Sequence, residues 1–501
     1  MKYLINVLAL VLLLTSLSIA NIIRVPQNVS TIQAALNSCS AGDTVLVSPG
    51  AYHENIIWPS TSSLCLMSEY GRDTTIIDGS GIASVIKLTS IMDSSTVISG
   101  FTIRNGYSVL DAGGIYCNFS SPIIRNNLID SNYAKYGGGI FCFNNSNPTI
   151  TGNIIRANTG GTAAAGNGGG IYCNASSPII DSNIISYNQG YVGAGICCIS
   201  SSSPTITNNE IFNNSATNSV GGICCHTNSA PLILNNSIQY NYGALGSGGI
   251  GCYYDSSPEI RGDTILYNET DLITGYGGGL DVYINSSPHI VQNIIGHNKA
   301  AFGGGISCYD NCNPSIDSNY ILYNSGDGIY SANSSNPVIH YNNIYGNSYN
   351  SKCGVRNIDA SIIINAENNW WGNASGPYNP VTNPGGQGDT VSNYVDYTPW
   401  LLIIGIKNLQ QGIPNSFLLY QNYPNPFNPK TYIRFDVQYS SHVKLAIYDI
   451  LGKEITTLVN ERLRAGSYKV DWDGSGYPSG VYFYKLITNN FVNVKKMVLI
   501  K

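Results

Sequence analysis

The chain has 501 residues, of which 24 are Lys or Arg and 29 are Asp or Glu. Charged residues therefore make up 11% of the chain, against roughly 25% in an ordinary globular domain. Asn alone contributes 59 residues and Gly 54, and this composition argues against a protein built from long helices. The 43% hydrophobic content, with 36 Tyr, argues against a disordered chain, and the net charge of −5 gives no basic footprint for nucleic acid.

The first 20 residues have the pattern of a secretory signal peptide. Lys2 supplies the positive charge, residues 4–14 the apolar core and Ala20 the small residue at the cleavage site. The apolar run is shorter than the ~20 residues that span a bilayer, and no later segment is long enough. We therefore expect a signal peptide over residues 1–20 and a mature chain without a transmembrane segment.

A repeat of mostly 26 or 27 residues occupies residues 113–347. Each unit reads G-G-I-x-C, then a polar turn, then P-x-I-x-x-N-x-I-x-x-N. The proline recurs at Pro122, Pro148, Pro178, Pro204, Pro231, Pro258, Pro288, Pro314 and Pro337. Ile occupies the second and the seventh position after each of these prolines without exception, from Ile124 and Ile129 to Ile339 and Ile344. Because β-branched side chains suit strands, the unit predicts short strands that each point an Ile inward.

Two Asn columns follow the same period. The first is Asn127, Asn153, Asn183, Asn209, Asn236, Asp263, Asn293, Asn319 and Asn342, and the second is Asn132, Asn158, Asn188, Asn214, Asn241, Asn268, Asn298, Asn324 and Asn347. Identical amides stacked at the ~4.8 Å strand spacing hydrogen-bond along the stack and satisfy turn groups that water cannot reach. The repeat therefore predicts a parallel β-solenoid with Asn ladders at its corners.

These repeats resemble the right-handed parallel β-helix proteins of the pectate-lyase-like superfamily. The resemblance extends to residues 31–52, which look like the capping helix and first coil, and to Asn368-Asn-Trp-Trp-Gly372, which is typical of a last coil. It implies an all-β fold, with a right-handed parallel β-helix and its N-terminal cap over residues 21–400. Since this superfamily contains lyases, hydrolases, esterases and proteins without catalysis, the resemblance does not assign an activity.

The last residues have a different pattern. Short alternating strands and the motifs in residues 423–429, 448–453, 479–485 and 495–501 resemble the type A C-terminal sorting domain of the type IX secretion system. The resemblance implies a small Ig-like β-sandwich over residues 416–501, after a linker over 401–415. It also implies the type IX machinery as a partner, secretion across the outer membrane, and an extracellular or surface-attached protein.

The cysteines follow the repeat rather than the pattern of a metal site. Seven lie in one column, two residues after an inward Ile, where they act as small buried hydrophobes: Cys117, Cys142, Cys173, Cys198, Cys225, Cys252 and Cys308. Disulfides between some stacked pairs stay open, although parallel Cβ vectors place the sulfurs poorly. Cys197 and Cys224 are expected to face outward. No set of His and Cys has zinc spacing and no acidic cluster supports calcium, so we expect no metal and no cofactor.

Length variation among the repeats predicts where a ligand binds. The longest turns precede the glycine pair, at residues 159–168 and 269–277, and insertions in repeat proteins gather on the binding face. Beside them, successive coils carry the outward residues His226, Tyr253, Tyr283 and Tyr309, here called the tyrosine stripe. Sugar rings stack on such side chains, and Glu269, Asp271 and Asp281 could accept hydroxyl hydrogen bonds. Alternatively, the aromatic residues only stabilise their neighbours across the sheet.

Three functions stay open at this point. The favoured one is a secreted or surface-displayed protein that binds extracellular polysaccharide or acts as an adhesin without catalysis. The second is a polysaccharide lyase or glycoside hydrolase that uses acidic residues near the 269–281 loop, although no catalytic residue can be assigned from the sequence. The third is a structural surface spacer.

Overall fold

The computed structural model describes residues 20–161, 167–347, 353–401, 407–408, 414, 416–439, 441–463, 465–488 and 491–501. The predicted signal peptide lies outside the described residues except for Ala20, and so does most of the predicted linker over 401–415. Among the described residues, no helix combines the length and hydropathy that crossing a membrane requires.

Successive coils of the chain build three long parallel sheets. Sheet 1 contains the strands Ile56–Ile57, Ile86–Leu88, Ile115–Asn118, Ile140–Phe143, Ile171–Asn174, Ile196–Ile199, Ile223–His226, Ile250–Tyr253, Leu280–Tyr283, Ile306–Tyr309, Ile329–Ala332 and Val355–Asn357. Sheet 2 contains Ile22–Val25, Thr44–Val47, Cys65–Ser68, Val97–Ser99, Ile123–Arg125, Thr149–Thr151, Ile179–Asp181, Thr205–Thr207, Leu232–Leu234, Glu259–Arg261, His289–Val291, Ser315–Asp317 and Val338–His340. Sheet 3 contains Gly50–His53, Thr75–Asp78, Thr102–Arg104, Leu128–Asp130, Ile154–Arg156, Ile184–Ser186, Glu210–Phe212, Ser237–Gln239, Thr264–Leu266, Ile294–Gly296, Tyr320–Leu322 and Asn343–Tyr345.

A fourth, narrow sheet lines the corner between sheet 3 and the next coil. Sheet 4 contains the two-residue strands Tyr107–Ser108, Tyr133–Ala134, Thr159–Gly160, Gln189–Gly190, Ser215–Ala216, Tyr242–Gly243 and Glu269–Thr270. Residues of one column pair with each other in register, as in Ile124↔Ile150 and Ile129↔Ile155. The Ile columns are fully buried in one core that runs from Val25 to Tyr397. The predicted parallel β-solenoid is therefore confirmed.

The Asn columns form the predicted ladders. The backbone N–H and the side-chain Nδ2 of Asn153 both donate to Oδ1 of Asn183 on the next coil, each at 3.0 Å, and Nδ2 also donates to the Ile124 carbonyl at 2.9 Å. The second column repeats this arrangement, for instance from Asn214 to Asn241. Each buried amide thus satisfies polar groups on its own coil and on both neighbours.

A third ladder, which the sequence reasoning missed, lies in the turn between sheets 1 and 2. Six serine hydroxyls, each two residues before a repeat proline, accept from the backbone N–H of the preceding coil, as in Ser146 N to Ser176 Oγ at 3.1 Å. Cys312 replaces Ser in this column and donates its N–H to Ser335 Oγ at 3.0 Å. Cys312 is therefore a member of the turn column.

Both ends of the solenoid are covered. The helix Ile32–Ser38 begins after the N-cap Thr31 and buries Ile32, Ala35 and Leu36 against the first coils. After the last full coil, the chain pairs Ile364–Asn365 with Val395–Asp396, and Pro377–Tyr378 with Gly388–Thr390. Trp371 of the predicted end motif is fully buried. Covered ends protect the edges of a solenoid from association.

The C-terminal part is a separate antiparallel unit. One sheet has the order Lys407–Asn408, Gly466–Asp473, Lys430–Val437 and Leu418–Leu419, and the other Glu454–Leu463, Ser441–Tyr448, Gly480–Ile487 and Val492–Leu499. Both sheets contribute to one hydrophobic core that includes Phe435 and Tyr484. Two sheets over one core are consistent with the predicted small β-sandwich.

Candidate ligand-binding site

The outer face of sheet 1 is covered by the turns that enter it. Its outward column one residue after the inward Ile contains Lys87, Tyr116, Phe141, Tyr172, Cys197, Cys224, Gly251, Asp281, Ser307, Tyr330 and Arg356. Five of these residues form a second hydrophobic cluster with Ala112, Val220 and Tyr253, outside the solenoid core. Cys197 and Cys224 thus lie on the outer side of the sheet, as expected, but they are buried by the covering turns.

Gly251 interrupts this column of side chains. A Cβ at Gly251 would lie 2.8 Å from Cζ of Tyr253 and would collide with Val220. A Cβ at Gly246, in the covering turn, would collide with the Tyr253 hydroxyl. Two glycines on different segments therefore make room for the Tyr253 ring, which folds back over the sheet instead of pointing away from it.

Beside the Tyr253 ring, a cavity of about 290 Å³ lies between sheet 1 and the covering turns and is here called the aromatic cavity. Five of the seven predicted site residues line it: His226, Tyr253, Asp281, Tyr283 and Tyr309. Tyr254, which is 42% exposed, and Tyr276 add two further rings. The structure therefore brings most of the predicted residues into one concave site, the usual shape of a ligand pocket.

Asp281 is the one carboxylic acid among the residues that the structure places around the cavity, and it is 6% exposed. Tyr253 Oη donates a hydrogen bond to its Oδ2 at 3.0 Å. Burial raises the pKa of Asp281 to about 7. The hydrogen bond from Tyr253 lowers the pKa of Asp281 and so opposes this rise. The nearby Ser307 hydroxyl acts in the same direction but more weakly, and it forms no hydrogen bond of standard geometry with a described residue. Asp281 thus changes its charge near neutral pH.

The rings around the cavity meet at wide angles. Tyr283 lies edge-on to Tyr253 at 84° and to Tyr254 at 70°, with ring centroids 6.2 and 6.0 Å apart. Tyr309 is tilted by 33° from Tyr283 and by 47° from Tyr276. No pair in this set stacks in parallel, so the rings form a curved aromatic wall rather than a continuous parallel stack.

His226 closes one side of the cavity. Its ring lies 4.7 Å from Tyr254 and perpendicular to Tyr253, and Nδ1 is 2.6 Å from the Thr227 hydroxyl. Burial lowers the pKa of His226, which favours the neutral imidazole near neutral pH.

The other two predicted residues lie apart from the cavity lining. Glu269 forms an ion pair with Lys299 at 3.3 Å on the surface of the corner. Asp271 Oδ1 accepts from the backbone N–H groups of Ile273 and Thr274, at 2.9 and 2.8 Å, and these bonds lower the pKa of Asp271. Asp271 therefore stabilises its own turn.

The structure gives Tyr253 a different part from the other rings of the stripe. It is 5% exposed, its hydroxyl oxygen accepts a hydrogen bond from the Ser247 N–H at 3.2 Å, and its O–H donates to the carboxylate of Asp281. Tyr253 supports the cavity floor, whereas Tyr283 and Tyr309 remain partly exposed beside it. The sequence reasoning missed Tyr276, although it occupies the position before a glycine triplet that Tyr136 and Phe302 also occupy.

The cysteines of the repeat column are buried free thiols rather than disulfide partners or metal ligands in the described chain. None of the cysteines in the described part of the chain forms a disulfide. Burial raises the pKa of the Cys117 thiol to about 12, and the thiols stacked beside it are shifted in the same direction. Within the described ranges, no three His, Cys, Asp or Glu side chains come together as a set that could hold a metal ion.

Comparison with known proteins gives two family matches. The model of the right-handed β-helix region matches residues 68–211, 169–321 and 272–393, which together span more than half of the chain. The model of the secretion-system C-terminal sorting domain matches residues 421–501. No curated protein matches the chain.

Among solved structures, the chain is similar to the enzymatically active domain of tailspike protein 4 from bacteriophage CBA120. The match covers 93% of this chain and 66% of that chain, with 10% identity and a TM-score of 0.25. A likeness at this TM-score carries no argument about activity.

Proposed function

Because the chain belongs to the right-handed β-helix family and ends in a secretion-system sorting domain, we propose that it binds extracellular polysaccharide, as a surface receptor or adhesin, without catalysis. A sorting domain of this kind implies handling by the type IX secretion system, and it indicates secretion across the outer membrane to the cell surface or the extracellular space. The proposed order of segments is signal peptide 1–20, β-helix 21–400, linker 401–415 and sorting domain 416–501.

The aromatic cavity is the observation that carries the binding proposal. Tyr254, Tyr276, Tyr283 and Tyr309 offer partly exposed rings over a concave surface, with the polar Asp281 at its base. Apolar ring faces with a few polar groups fit the C–H faces and hydroxyls of sugars. The cavity also lies beside the 269–277 loop, one of the longest turns of the repeat.

One observation favours the enzymatic alternative. A buried carboxylic acid with a pKa of about 7, in contact with a tyrosine hydroxyl, is the kind of group that acts as a general acid. Glycosidases, however, use two carboxyl groups that flank the scissile bond, and the described lining of the cavity supplies one. We therefore rank binding first and keep a lyase or hydrolase as the second candidate.

A binding and turnover assay on the full-length protein tests this proposal. We expect retention on one or more immobilised polysaccharides of a panel, and loss of at least about tenfold in affinity for Tyr283→Ala and Tyr309→Ala. Tyr323→Ala is the matched control, since Tyr323 is 52% exposed on a different face of the solenoid. Release of new reducing or unsaturated ends from the panel would support the enzymatic alternative. Absence of binding to every polysaccharide would support the third hypothesis, a structural surface spacer.

A further inference from the structure

We propose that the aromatic cavity binds a positively charged ammonium group, so that the preferred polysaccharide carries free amines rather than neutral or acidic substituents. This inference deepens the proposed function, on which its polysaccharide part rests. It follows from three observations on the described lining: several rings, one buried acid, and no Lys or Arg.

The aromatic wall suits a cation. Ammonium groups bind to the faces of aromatic rings through the ring quadrupole, and this attraction is strongest where water is excluded. Tyr254, Tyr276, Tyr283 and Tyr309 converge on one cavity with centroid spacings of 5.6 to 6.0 Å between adjacent rings. Several ring planes at wide angles around one small volume form an aromatic cage, the usual arrangement for recognising ammonium ligands.

Asp281, the acid at the base of the cavity, has acceptor capacity that the hydrogen bond from Tyr253 does not use. Tyr253 gives Asp281 its one hydrogen bond of standard geometry within the described structure, although an ionised carboxylate accepts several. No Lys or Arg occurs among the described lining residues. Burying an uncompensated charge is unfavourable, so a ligand that brings the opposite charge gains more here than a neutral hydroxyl does.

The surroundings add negative potential. The charge of Asp310 reaches Tyr276 and Tyr283 and contributes to raising the pKa of both phenols. Its carboxylate accepts a 2.9 Å hydrogen bond from the neutral amide of Asn333. A cavity with this field repels uronate or sulfate groups and attracts amines.

Two matched pairs of probes test the inference on the full-length protein by isothermal titration calorimetry. The first pair is choline and its uncharged isostere 3,3-dimethylbutan-1-ol. The second is a glucosamine oligosaccharide and the N-acetylated oligosaccharide of the same length and linkage. We expect the charged member of each pair to bind at least about tenfold more tightly than the uncharged member. The choline pair is measured at slightly alkaline pH and the oligosaccharide pair at neutral pH.

Three variants accompany the probes. Asp281→Asn keeps the shape of the side chain and should abolish the preference for the charged member. Asp271→Asn, which changes an acid outside the lining, should leave it intact. Tyr283→Leu, at a partly exposed ring, should weaken choline binding even if Asp281→Asn fails to fold.

The outcomes separate this inference from the proposed function. Equal binding within both pairs overturns the ammonium inference, and the polysaccharide proposal survives if the acetylated oligosaccharide binds. Choline binding without any oligosaccharide binding supports the ammonium site and excludes these amino sugars as its ligand; the polysaccharide panel then decides the proposed function separately. If no probe binds, the ammonium inference is wrong.

Discussion

The hydroxyl of Tyr253 donates to the carboxylate of Asp281 across 3.0 Å, although the two residues lie 28 positions apart on neighbouring coils. The bond joins a ring that fills the gap over Gly251 to the only acid of the described cavity lining. It couples the shape of the cavity to its charge. A change at either residue therefore affects both properties.

Tyr253→Phe should destabilise the protein by about 1 kcal/mol, because it removes one buried hydrogen bond and leaves the Ser247 N–H without its acceptor. Thermal unfolding followed by circular dichroism measures the change. Tyr187→Phe, at a ring 57% exposed on the turn after sheet 3, serves as the control and should alter the melting temperature little. Equal melting temperatures for both variants would show that the Tyr253 bond contributes nothing.

Stability should fall with rising pH between about pH 4 and pH 7 because of Asp281. Its pKa is 3.8 in the reference state and about 7 in the folded protein, so the folded state holds a proton that the unfolded chain has released. The stabilisation from protonated Asp281 is fully present below about pH 4 and is lost as pH rises through 7. The free energy of unfolding changes by about 4 kcal/mol over this range. Comparing melting temperatures of the wild type and Asp281→Asn across this range isolates it, because other groups titrate alike in both. A difference independent of pH would contradict the assignment.

Choline affinity should rise from about pH 5 to about pH 8 and then level off, since the ligand prefers ionised Asp281. Protonation of His226 at low pH weakens binding further, in the same direction. The other titratable groups that face Asp281 or its cavity are Tyr253, Tyr254, Tyr276, Tyr283, Tyr309, Asp310, Cys252, Cys308 and Cys312. Titrations in two buffers of different ionisation heat count the protons released on binding. Affinity that stays flat with pH would exclude Asp281 as the ligand's partner.

Gly251→Ala should reduce ligand affinity and destabilise the protein by about 1–3 kcal/mol, because the new Cβ displaces the Tyr253 ring. Gly385→Ala is the matched control, since a Cβ there meets nothing within 4 Å. Calorimetric titration and thermal unfolding measure the two effects. Unchanged binding by Gly251→Ala would mean that the position of Tyr253 does not shape the cavity.

Asn209→Ala should destabilise the solenoid by about 3 kcal/mol or more. The amide of Asn209 accepts from Asn183 and donates to Asn236 and Ile180, so its loss leaves several buried groups unsatisfied. Asn208→Gly, one residue earlier, should be nearly neutral: this position has a φ of 55°, and the same column already contains Gly152 and Gly262. Similar melting temperatures for the two variants would count against the ladder as a stabilising element.

The solenoid could be predicted because each column repeats one requirement on every coil. Ile124 and Asn127 have equivalents in every unit, so nine copies reveal the inward and corner positions. The serine column was equally visible, for instance at Ser146 and Ser176, but its role as an acceptor depends on the turn geometry. The fold could therefore be predicted from the residue columns that repeat regularly along the sequence.

The cavity depends on departures from the columns, and these are harder to interpret. Tyr253 and Asp281 were singled out from the sequence, and the structure places both in the lining. The inward fold of Tyr253 follows from Gly251 and Gly246 together, and no single column contains both. Asp271 looked like a ligand contact, but whether an acid points into a cavity or caps its own turn depends on local backbone geometry.

The asparagine ladders have a direction, because the Nδ2 of each Asn donates to the coil that follows; at Asp263 the onward donor is the backbone N–H, to Asn293 Oδ1 at 2.8 Å. The second ladder ends at Asp389, whose Oδ2 accepts from both nitrogens of Asn347 and whose Oδ1 accepts from the Gly346 N–H. A carboxyl group has no amide Nδ2, so the pair of amide donors that each Asn contributes ends at Asp389. Asp389 lies in the segment that covers the end of the solenoid, so this side chain ties the second ladder to the cap.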